Sequence, residues 1–141
     1  MEISKVLSKN DIGLTGAHQA GVAVPLEIAR TGFFPQLNEG LVNPRIQLTV
    51  DIPSTGEELE LNYIYYNGRL HGTSTRNEYR LTGISSFLKR SGAAQGDELN
   101  FTKKPSGQIS LSLTPVAAEA VASGDQIRIS INSWTLKGAK S

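Results

Sequence analysis

The stretch TSTRNEYRLTGISSFLKRSGAAQGDELNFTK, residues 73–103, contains the pattern on which the fold prediction rests. Its two ends, Thr75 to Thr82 and Glu98 to Lys103, are short β-rich runs. Between them, Ser85 to Ala94 has helical spacing and a glycine near its end. The stretch therefore predicts a strand, a short helix and a second strand.

Period-two patterns continue on both sides of this stretch and are separated by clusters of Gly, Pro, Asn and Ser. They are typical of a mainly β domain with small helical inserts. The alternation is clear at 127–132, where three isoleucines take every second position, so one face should be core and the other wet. The further predicted strands are Ile3 to Ser8, Ala20 to Val24, Arg45 to Ile52, Glu58 to Tyr66, Gln108 to Pro115 and Asp125 to Leu136.

Three segments are predicted to be helical. Pro25 should begin the first, which ends near Gly32. Ser85 or Ser86 should cap the second. The third is the Ala-rich run Pro115 to Val121.

Length and composition predict one soluble domain. A chain of 141 residues is the usual size of a single domain. The absence of cysteine excludes disulfides and thiolate metal sites, and two histidines alone cannot make a zinc site. The start resembles no signal peptide, and no apolar run is long enough to span a bilayer. We expect a cytoplasmic protein with no membrane partner.

Charge is clustered along the chain although the net charge is only +1. Residues 21–60 hold two basic and six acidic side chains, whereas residues 61–90 hold five basic side chains and one acidic. A local basic region of this kind is compatible with binding to nucleic acid.

No catalytic motif is present. The acid-rich GEELEL, residues 56–61, has no nearby lysine and is interpreted as an exposed acidic strand. The chain contains no P-loop, HExxH or GxSxG motif. A cryptic nuclease is therefore disfavoured.

The glycine-rich GLTGAHQAG, residues 13–21, is a candidate ligand loop. Its glycines permit close backbone approach, and Thr15, His18 and Gln19 supply hydrogen-bonding tips. A polar turn between two strands is the alternative interpretation.

Arg76, Glu78 and Arg80 occupy every second position. On a strand they would project from one face over roughly 13 Å, close to four base-pair steps. Arginine donates in a fork to guanine and a carboxylate accepts from cytosine, so the trio could read G·C edges in a major groove. Glu78 would also hold both guanidiniums in place. The alternative is a surface strand with an ordinary salt-bridge ladder.

Three blocks of sequence resemble known DNA-binding domains. Two of them resemble the N-terminal effector domain of EcoRII-type restriction endonucleases, among them EcoRII and UbaLAI. The first is SKNDIGLTGAHQAGVAVP, residues 8–25, and the second combines IYYN, residues 64–67, with TRNEYRLT, residues 75–82. ISSFLKRSGAAQGDELNF, residues 84–101, is similar to plant B-three transcription-factor domains.

The resemblance implies a seven-stranded open pseudobarrel, a DNA-binding fold with two or three short helices. An N-terminal arm, residues 13–23, and a C-terminal arm, residues 69–80, would grip the major groove at the sequence CCWGG, where W is A or T. The chain departs from the family pattern at Ala23, Ser74 and Tyr79, where it lacks a larger aromatic residue and two lysines. The scissile chemistry would belong to a separate domain.

The sequence thus predicts a sequence-specific double-stranded-DNA-binding module, 1–136, of a bacterial type II restriction endonuclease. Residues 137–141 would be a tail or the start of a linker to a nuclease domain. The module itself would be no enzyme, would need no cofactor and would be a monomer, with Mg²⁺ required only by the nuclease domain. A protein-binding or carbohydrate-binding β-domain is the alternative function. The predicted DNA-binding residues are Thr15, Gly16, His18, Gln19, Arg69, Ser74, Thr75, Arg76, Asn77, Glu78, Tyr79, Arg80, Lys5 and Lys9, with Lys89 and Arg90 as further phosphate candidates.

Overall fold

The computed structural model of the chain describes residues 1–13, 21–116, 128–131 and 133–137. These ranges contain nine strands and two short helices. In chain order they are β1 (Glu2–Val6), β2 (Val22–Val24), α1 (Leu26–Ala29), β3 (Arg45–Ile52), β4 (Glu57–Tyr66), β5 (Glu78–Thr82), α2 (Ser85–Arg90), β6 (Glu98–Lys103), β7 (Ile109–Thr114), β8 (Arg128–Ile131) and β9 (Trp134–Lys137).

All the described strands belong to one sheet with the order β2-β5-β4-β3-β7-β6-β1-β9-β8. The β3–β7 pair is parallel, and the other pairs are antiparallel. The predicted mainly β class is confirmed. The sheet has nine described strands instead of the expected seven.

The sheet curls so that strands near its opposite ends meet. Trp134, on β9, is fully buried, and its indole Nε1–H donates to the Ala23 carbonyl on β2 at 3.0 Å. Because β2 stands at one end of the strand order and β9 next to the other, this hydrogen bond requires a half-closed barrel. The bond also satisfies an indole donor that burial would otherwise leave without a partner.

A continuous series of aromatic rings crosses the inside of the curled sheet. From Trp134 it runs through Phe101, Phe34 and Tyr63 to Tyr79, with successive ring centroids 5.0–6.1 Å apart. Tyr65 extends it with a parallel stack on Tyr79 at 4.1 Å. All of these rings are buried, so a connected set of aromatic side chains runs through a core whose other members are mainly Ile, Leu and Val.

Two strand predictions are wrong in their extent. Asp125 to Leu136 was expected to form one strand, but its described part forms two, because the chain turns at Ser133 with φ +67° and pairs β8 with β9 as a hairpin. Polar turn residues override the alternation there. Lys137, predicted to begin the tail, is the last residue of β9. The strand predicted from Thr75 begins only at Glu78.

Both described helices are shorter than predicted. The first has four residues and follows Pro25 as expected. The second ends at Arg90, and neither Ser85 nor Ser86 caps it, since Ile84 occupies the N-cap without a side-chain hydrogen bond. Most of the predicted third helix lies outside the described residues. In the described part of the chain, no helix is long and apolar enough to cross a membrane.

A polar cluster marks the parallel β3–β7 junction. The Asp51 carboxylate accepts hydrogen bonds from Gln108 Nε2 at 3.0 Å and from Ser110 Oγ at 2.9 Å. The bond from Gln108, followed by that from Ser110, lowers the pKa of Asp51 below its ordinary value of 3.8. The charged form of this carboxylate therefore stabilises the pairing of the two halves of the sheet.

Candidate nucleic-acid interface

The connection between β4 and β5, residues 67–77, is a compact loop that contains most of the predicted C-terminal arm, residues 69–80, and we call this loop the second arm. The Arg69 backbone N–H donates to the Arg76 carbonyl at 2.9 Å and closes the base of the loop. Gly68 accepts from the Thr73 N–H at 2.8 Å, and a Cβ at Gly68 would lie 2.0 Å from Ser74 Oγ. A larger residue at position 68 would require the side chains of Thr73 and Ser74 to shift, because the returning chain packs against Gly68.

Arg76 is an exposed cation at the end of this arm. Its guanidinium carbon lies 4.0 Å from the centre of the Tyr66 ring, and its Nη2 donates to Glu78 Oε1 at 2.8 Å. The side chain is nevertheless 44% exposed. Stacking on one side and a carboxylate at one edge hold the guanidinium in a fixed orientation while the rest of it faces solvent.

Arg80 is buried, whereas the sequence predicted that it projects from an open strand face. Its side chain is only 4% exposed, and its Nη2 donates to the Gly21 carbonyl at 2.9 Å. Its Nη1 lies 3.7 Å from Glu78 Oε2. The expectation that all three charged side chains project from one open strand face is therefore wrong, because Arg76 precedes the strand and Arg80 is buried beside β2. Glu78 does lie between the two guanidiniums, as predicted.

Asn77 and Tyr79, both predicted to bind DNA, differ in accessibility: Asn77 is exposed, whereas Tyr79 is buried in the core and is not available as a DNA contact in this structure. The Tyr65 hydroxyl donates to Asn77 Oδ1, which fixes the orientation of the exposed amide. Tyr79 is buried, and its hydroxyl donates to Glu39 Oε1 at 3.0 Å. Burial, followed by this hydrogen bond, raises the pKa of Tyr79, so the phenol remains a neutral donor.

A concave surface of about 440 Å³ adjoins the base of the second arm. Its lining includes Asn77 to Arg80 and, from other parts of the chain, Ser8, Asn10 and Asp11 together with the segment from Ala23 to Leu26. These outer segments stand on either side of the glycine-rich loop in the sequence. The concavity is thus bounded by the end of the second arm with strand β5, and by segments that adjoin the predicted N-terminal arm, residues 13–23, which we call the first arm.

The predicted first-arm contacts Thr15, Gly16, His18 and Gln19 lie outside the described residues. Gly21, where the description resumes, has φ +74°, and a Cβ there would lie 1.8 Å from the Leu81 carbonyl oxygen. Glycine is therefore required where this segment joins the sheet.

The predicted phosphate-binding residues differ in accessibility. Lys5 is buried and paired with Asp11, so its prediction as a phosphate contact is wrong in this structure. Lys9, Arg69 and Lys89 are exposed. Arg90 is exposed but pairs with Glu57 at 3.1 Å, which links the basic segment to the acidic one. Ser74 and Thr75 are exposed on the second arm.

The acidic strand segment is exposed, as expected. Glu58 and Glu60 lie on the outside of β4, and Glu60 accepts from Gln47 Nε2 at 3.0 Å. Among the residues that the structure describes, no group of His, Cys, Asp or Glu is arranged to hold a metal ion.

Three residues that support the second arm were not predicted from the sequence. Tyr65 orients Asn77 by a hydrogen bond, and the ring of Tyr66 stacks on the Arg76 guanidinium. Asn67 is completely buried at the start of the loop. The available signal was the run IYYN, residues 64–67, in which adjacent tyrosines must face opposite sides of a strand.

The fold is shared with solved DNA-binding domains. The chain superposes on the Arabidopsis FUS3–DNA complex with a TM-score of 0.61 at 15% identity, covering 79% of this chain and 93% of that one. It superposes on the B3 domain of UbaLAI restriction endonuclease with cognate DNA with a TM-score of 0.52 at 19% identity, covering 82% and 67%. The chain is therefore a B3-like pseudobarrel domain.

Sequence comparison identifies the family. The family model described as restriction endonuclease EcoRII, N-terminal, matches residues 2–95, and the chain belongs to this family. It is 42% identical over 80 residues to the type II restriction enzyme EcoRII of Escherichia coli. This match covers 55% of the chain but 19% of the enzyme, so the chain spans about a fifth of its curated relative.

Proposed function

We propose that the chain is the specificity domain of a type II restriction endonuclease and binds short duplex DNA in the major groove. The recognised sequence is CCWGG. The domain reads DNA without cleaving it, and the nuclease chemistry, with its Mg²⁺, belongs to a linked domain of a cytoplasmic bacterial enzyme. The module acts as a monomer and requires no cofactor.

The observation that carries this proposal is the fixed orientation of Arg76. A guanidinium held by the Tyr66 ring and by Glu78 matches the bidentate acceptor pair O6 and N7 of guanine. Little side-chain entropy is lost when such a group binds, because the unbound protein already restricts it. The amide of Asn77, oriented by Tyr65, is a second candidate for base contact beside it.

The concavity supports a two-armed grip. Asn77 and Glu78 line one side, and the residues that flank the glycine-rich loop line the other. In this proposal Thr15, Gly16, His18 and Gln19 contact the site from the first arm, while Arg69, Ser74, Thr75 and Lys9 contact the sugar-phosphate backbone. Both solved neighbours named above are DNA complexes, which also supports DNA as the ligand.

Buried charged residues take a supporting part. Arg80 contacts the Glu78 carboxylate and donates to the Gly21 carbonyl next to β2, so it holds both in place. Tyr79 stacks on Tyr65 and packs β5 against the core. Lys5 and Asp11 neutralise each other at the edge of the concavity. Specific recognition therefore rests on the exposed groups that these residues hold in place.

Selection from a random duplex library, followed by affinity measurements at increasing salt, tests the proposal. We expect enrichment of CCWGG and a steep fall in affinity with salt, because phosphate contacts release counterions. Enrichment of another sequence would refute CCWGG alone. Failure to bind duplex DNA, or an affinity that does not depend on salt, would refute the DNA-binding function and leave the protein-binding or carbohydrate-binding alternative. Magnesium-dependent cleavage by this chain alone would contradict the assignment of the chemistry to another domain.

A further inference from the structure

Two asparagines bind each other beneath the second arm. Asn67 Oδ1 accepts from the Asn43 backbone N–H at 2.7 Å, and the Asn67 backbone N–H donates to Asn43 Oδ1 at 3.2 Å. Asn67 Nδ2 also donates to the carbonyls of Leu41 at 2.7 Å and Glu39 at 3.2 Å. Asn67 is completely buried, so these bonds form away from water.

The partner segment, residues 37–43, is an irregular loop that we call the brace. It contains neither strand nor helix, and Asn43 holds φ +49°, a conformation that asparagine tolerates better than most residues. Within the brace, Asn38 Oδ1 accepts from the Gly40 N–H at 2.9 Å. The brace is thus a turn whose position depends on its bonds to other parts of the chain.

The brace contacts the second arm and the strand that follows at three separated points. Asn67 marks the start of the arm. Farther along, His71 Nε2 lies 2.9 Å from the Glu39 carbonyl oxygen, and beyond the arm the Tyr79 hydroxyl donates to the Glu39 carboxylate. These contacts fix both the base of the loop and the strand into which it leads.

We infer that Asn67 and Asn43 are positioning residues for DNA recognition, and that the brace holds the second arm in its binding conformation before DNA arrives. This inference rests on the proposed function. It extends that function to residues that position the second arm and were not among the predicted DNA contacts. Arg69 and Arg76 follow Asn67 along a loop closed by their own backbone hydrogen bond, so a shift at Asn67 displaces the reading side chain.

Loss of the brace contacts should weaken binding because an unrestrained arm must be ordered when DNA binds. The phosphate contacts themselves remain, so the salt dependence should not change. We expect cognate affinity to fall about tenfold, while weak binding to a scrambled duplex changes less.

Substitutions at Asn43 provide the sharpest test. Asn43→Gly tolerates the positive φ but removes the acceptor, whereas Asn43→Asp retains an acceptor oxygen for the Asn67 N–H. Asn67→Asp is a second disruptive variant, because it replaces the amide donor with an oxygen facing two carbonyls. Leu41→Ala is the matched control, since Leu41 contributes a backbone carbonyl and its side chain is 57% exposed.

Two measurements are needed for each variant. Amide hydrogen exchange of the DNA-free chain reports whether Arg69 and Thr73, whose N–H groups bond within the arm, become less protected relative to the amides of β6. Fluorescence anisotropy with cognate and scrambled duplexes reports affinity, discrimination and salt slope. Urea unfolding shows that each variant is folded.

The inference predicts faster arm exchange and about tenfold weaker cognate binding in Asn43→Gly, with Asn43→Asp close to the wild type. Unchanged arm exchange, or faster exchange with unchanged cognate affinity, would overturn it and leave the proposed function intact. A loss in Leu41→Ala equal to that in Asn43→Gly would also overturn it, because the brace would then be a direct DNA contact. A wild-type chain that does not bind duplex DNA would overturn the proposed function and, with it, the inferred role in recognition.

Discussion

Truncation of Arg76 should separate DNA recognition from folding. Its ion pair with Glu78 joins side chains that are 44% and 34% exposed, so solvent screening limits its contribution to about 0.2–1 kcal/mol. The stack on Tyr66 is also partly exposed and adds about 0.5–1 kcal/mol. The free energy of unfolding should therefore fall by about 1 kcal/mol in Arg76→Ala. Loss of one bidentate base contact should cost about 1–3 kcal/mol of discrimination, or roughly 5- to 150-fold in relative affinity.

Arg80→Ala is the matched comparison and should show the opposite balance. The buried guanidinium donates to the Gly21 carbonyl, and its removal leaves that acceptor without its partner. A hydrogen bond to a charged group contributes about 1.5–3 kcal/mol, and the lost packing of the alkyl stem adds to this, so the free energy of unfolding should fall by about 2–4 kcal/mol. Any loss of DNA affinity should follow from displacement of Glu78 and the β2 end.

Urea unfolding and competition binding with a labelled cognate duplex measure the two quantities. The competitors are the unlabelled cognate duplex and a set with one base pair permuted at each position. Arg76→Ala should lose discrimination at one position and retain it elsewhere. Equal weakening on cognate and permuted duplexes would refute base reading by Arg76. Unchanged stability in Arg80→Ala would refute its supporting role.

Three further perturbations test the fold that carries the site. Trp134→Phe should lower the free energy of unfolding by about 1–3 kcal/mol, because the Ala23 carbonyl loses its hydrogen-bond donor. An unchanged urea midpoint would mean that this hydrogen bond does not hold the barrel closed. Gly21→Ala should lower the free energy of unfolding by about 1–3 kcal/mol more than Gly13→Ala, because both glycines have positive φ but only at Gly21 would a Cβ meet a backbone carbonyl. Equal losses would contradict the close approach of β2 to β5. The folded pKa of Asp51 is below 3.8, so the stability that its charged carboxylate contributes should be present above pH 3.8 and be lost as the pH falls through the folded pKa. In Asp51→Asn the free energy of unfolding should therefore depend less on pH in acid. An unchanged pH dependence would show that Asp51 does not stabilise the fold in this way.

Ala23, one of the positions at which the chain departs from the pattern of the resembling family, lies within strand β2. In this chain the small Ala23 lies beside Arg80 in the β2–β5 register. The guanidinium of Arg80 is buried and donates to the carbonyl of Gly21, which directly precedes β2.

Local pattern determined most of the sheet. Period-two alternation located β1, β3, β4, β6 and β7 to within a few residues, because alternate side chains of a half-buried strand must differ in polarity. It failed at β8 and β9, because the prediction ran one strand through the point where the apolar positions change from odd to even numbers, between Ile131 and Trp134. The charged trio was also identified from local sequence, and the position of Glu78 between the two arginines followed from spacing alone.

Only the tertiary structure decided which of these charges face the solvent. Arg80 is buried because Ala23 and Ile64, from strands distant in sequence, lie beside it in the sheet. Arg76 is exposed because it precedes the strand and rests on Tyr66. Local sequence specifies the alternation of a strand. The accessibility of each charged group depends on which neighbours the curled sheet brings to it, and those neighbours come from parts of the chain that no local pattern connects.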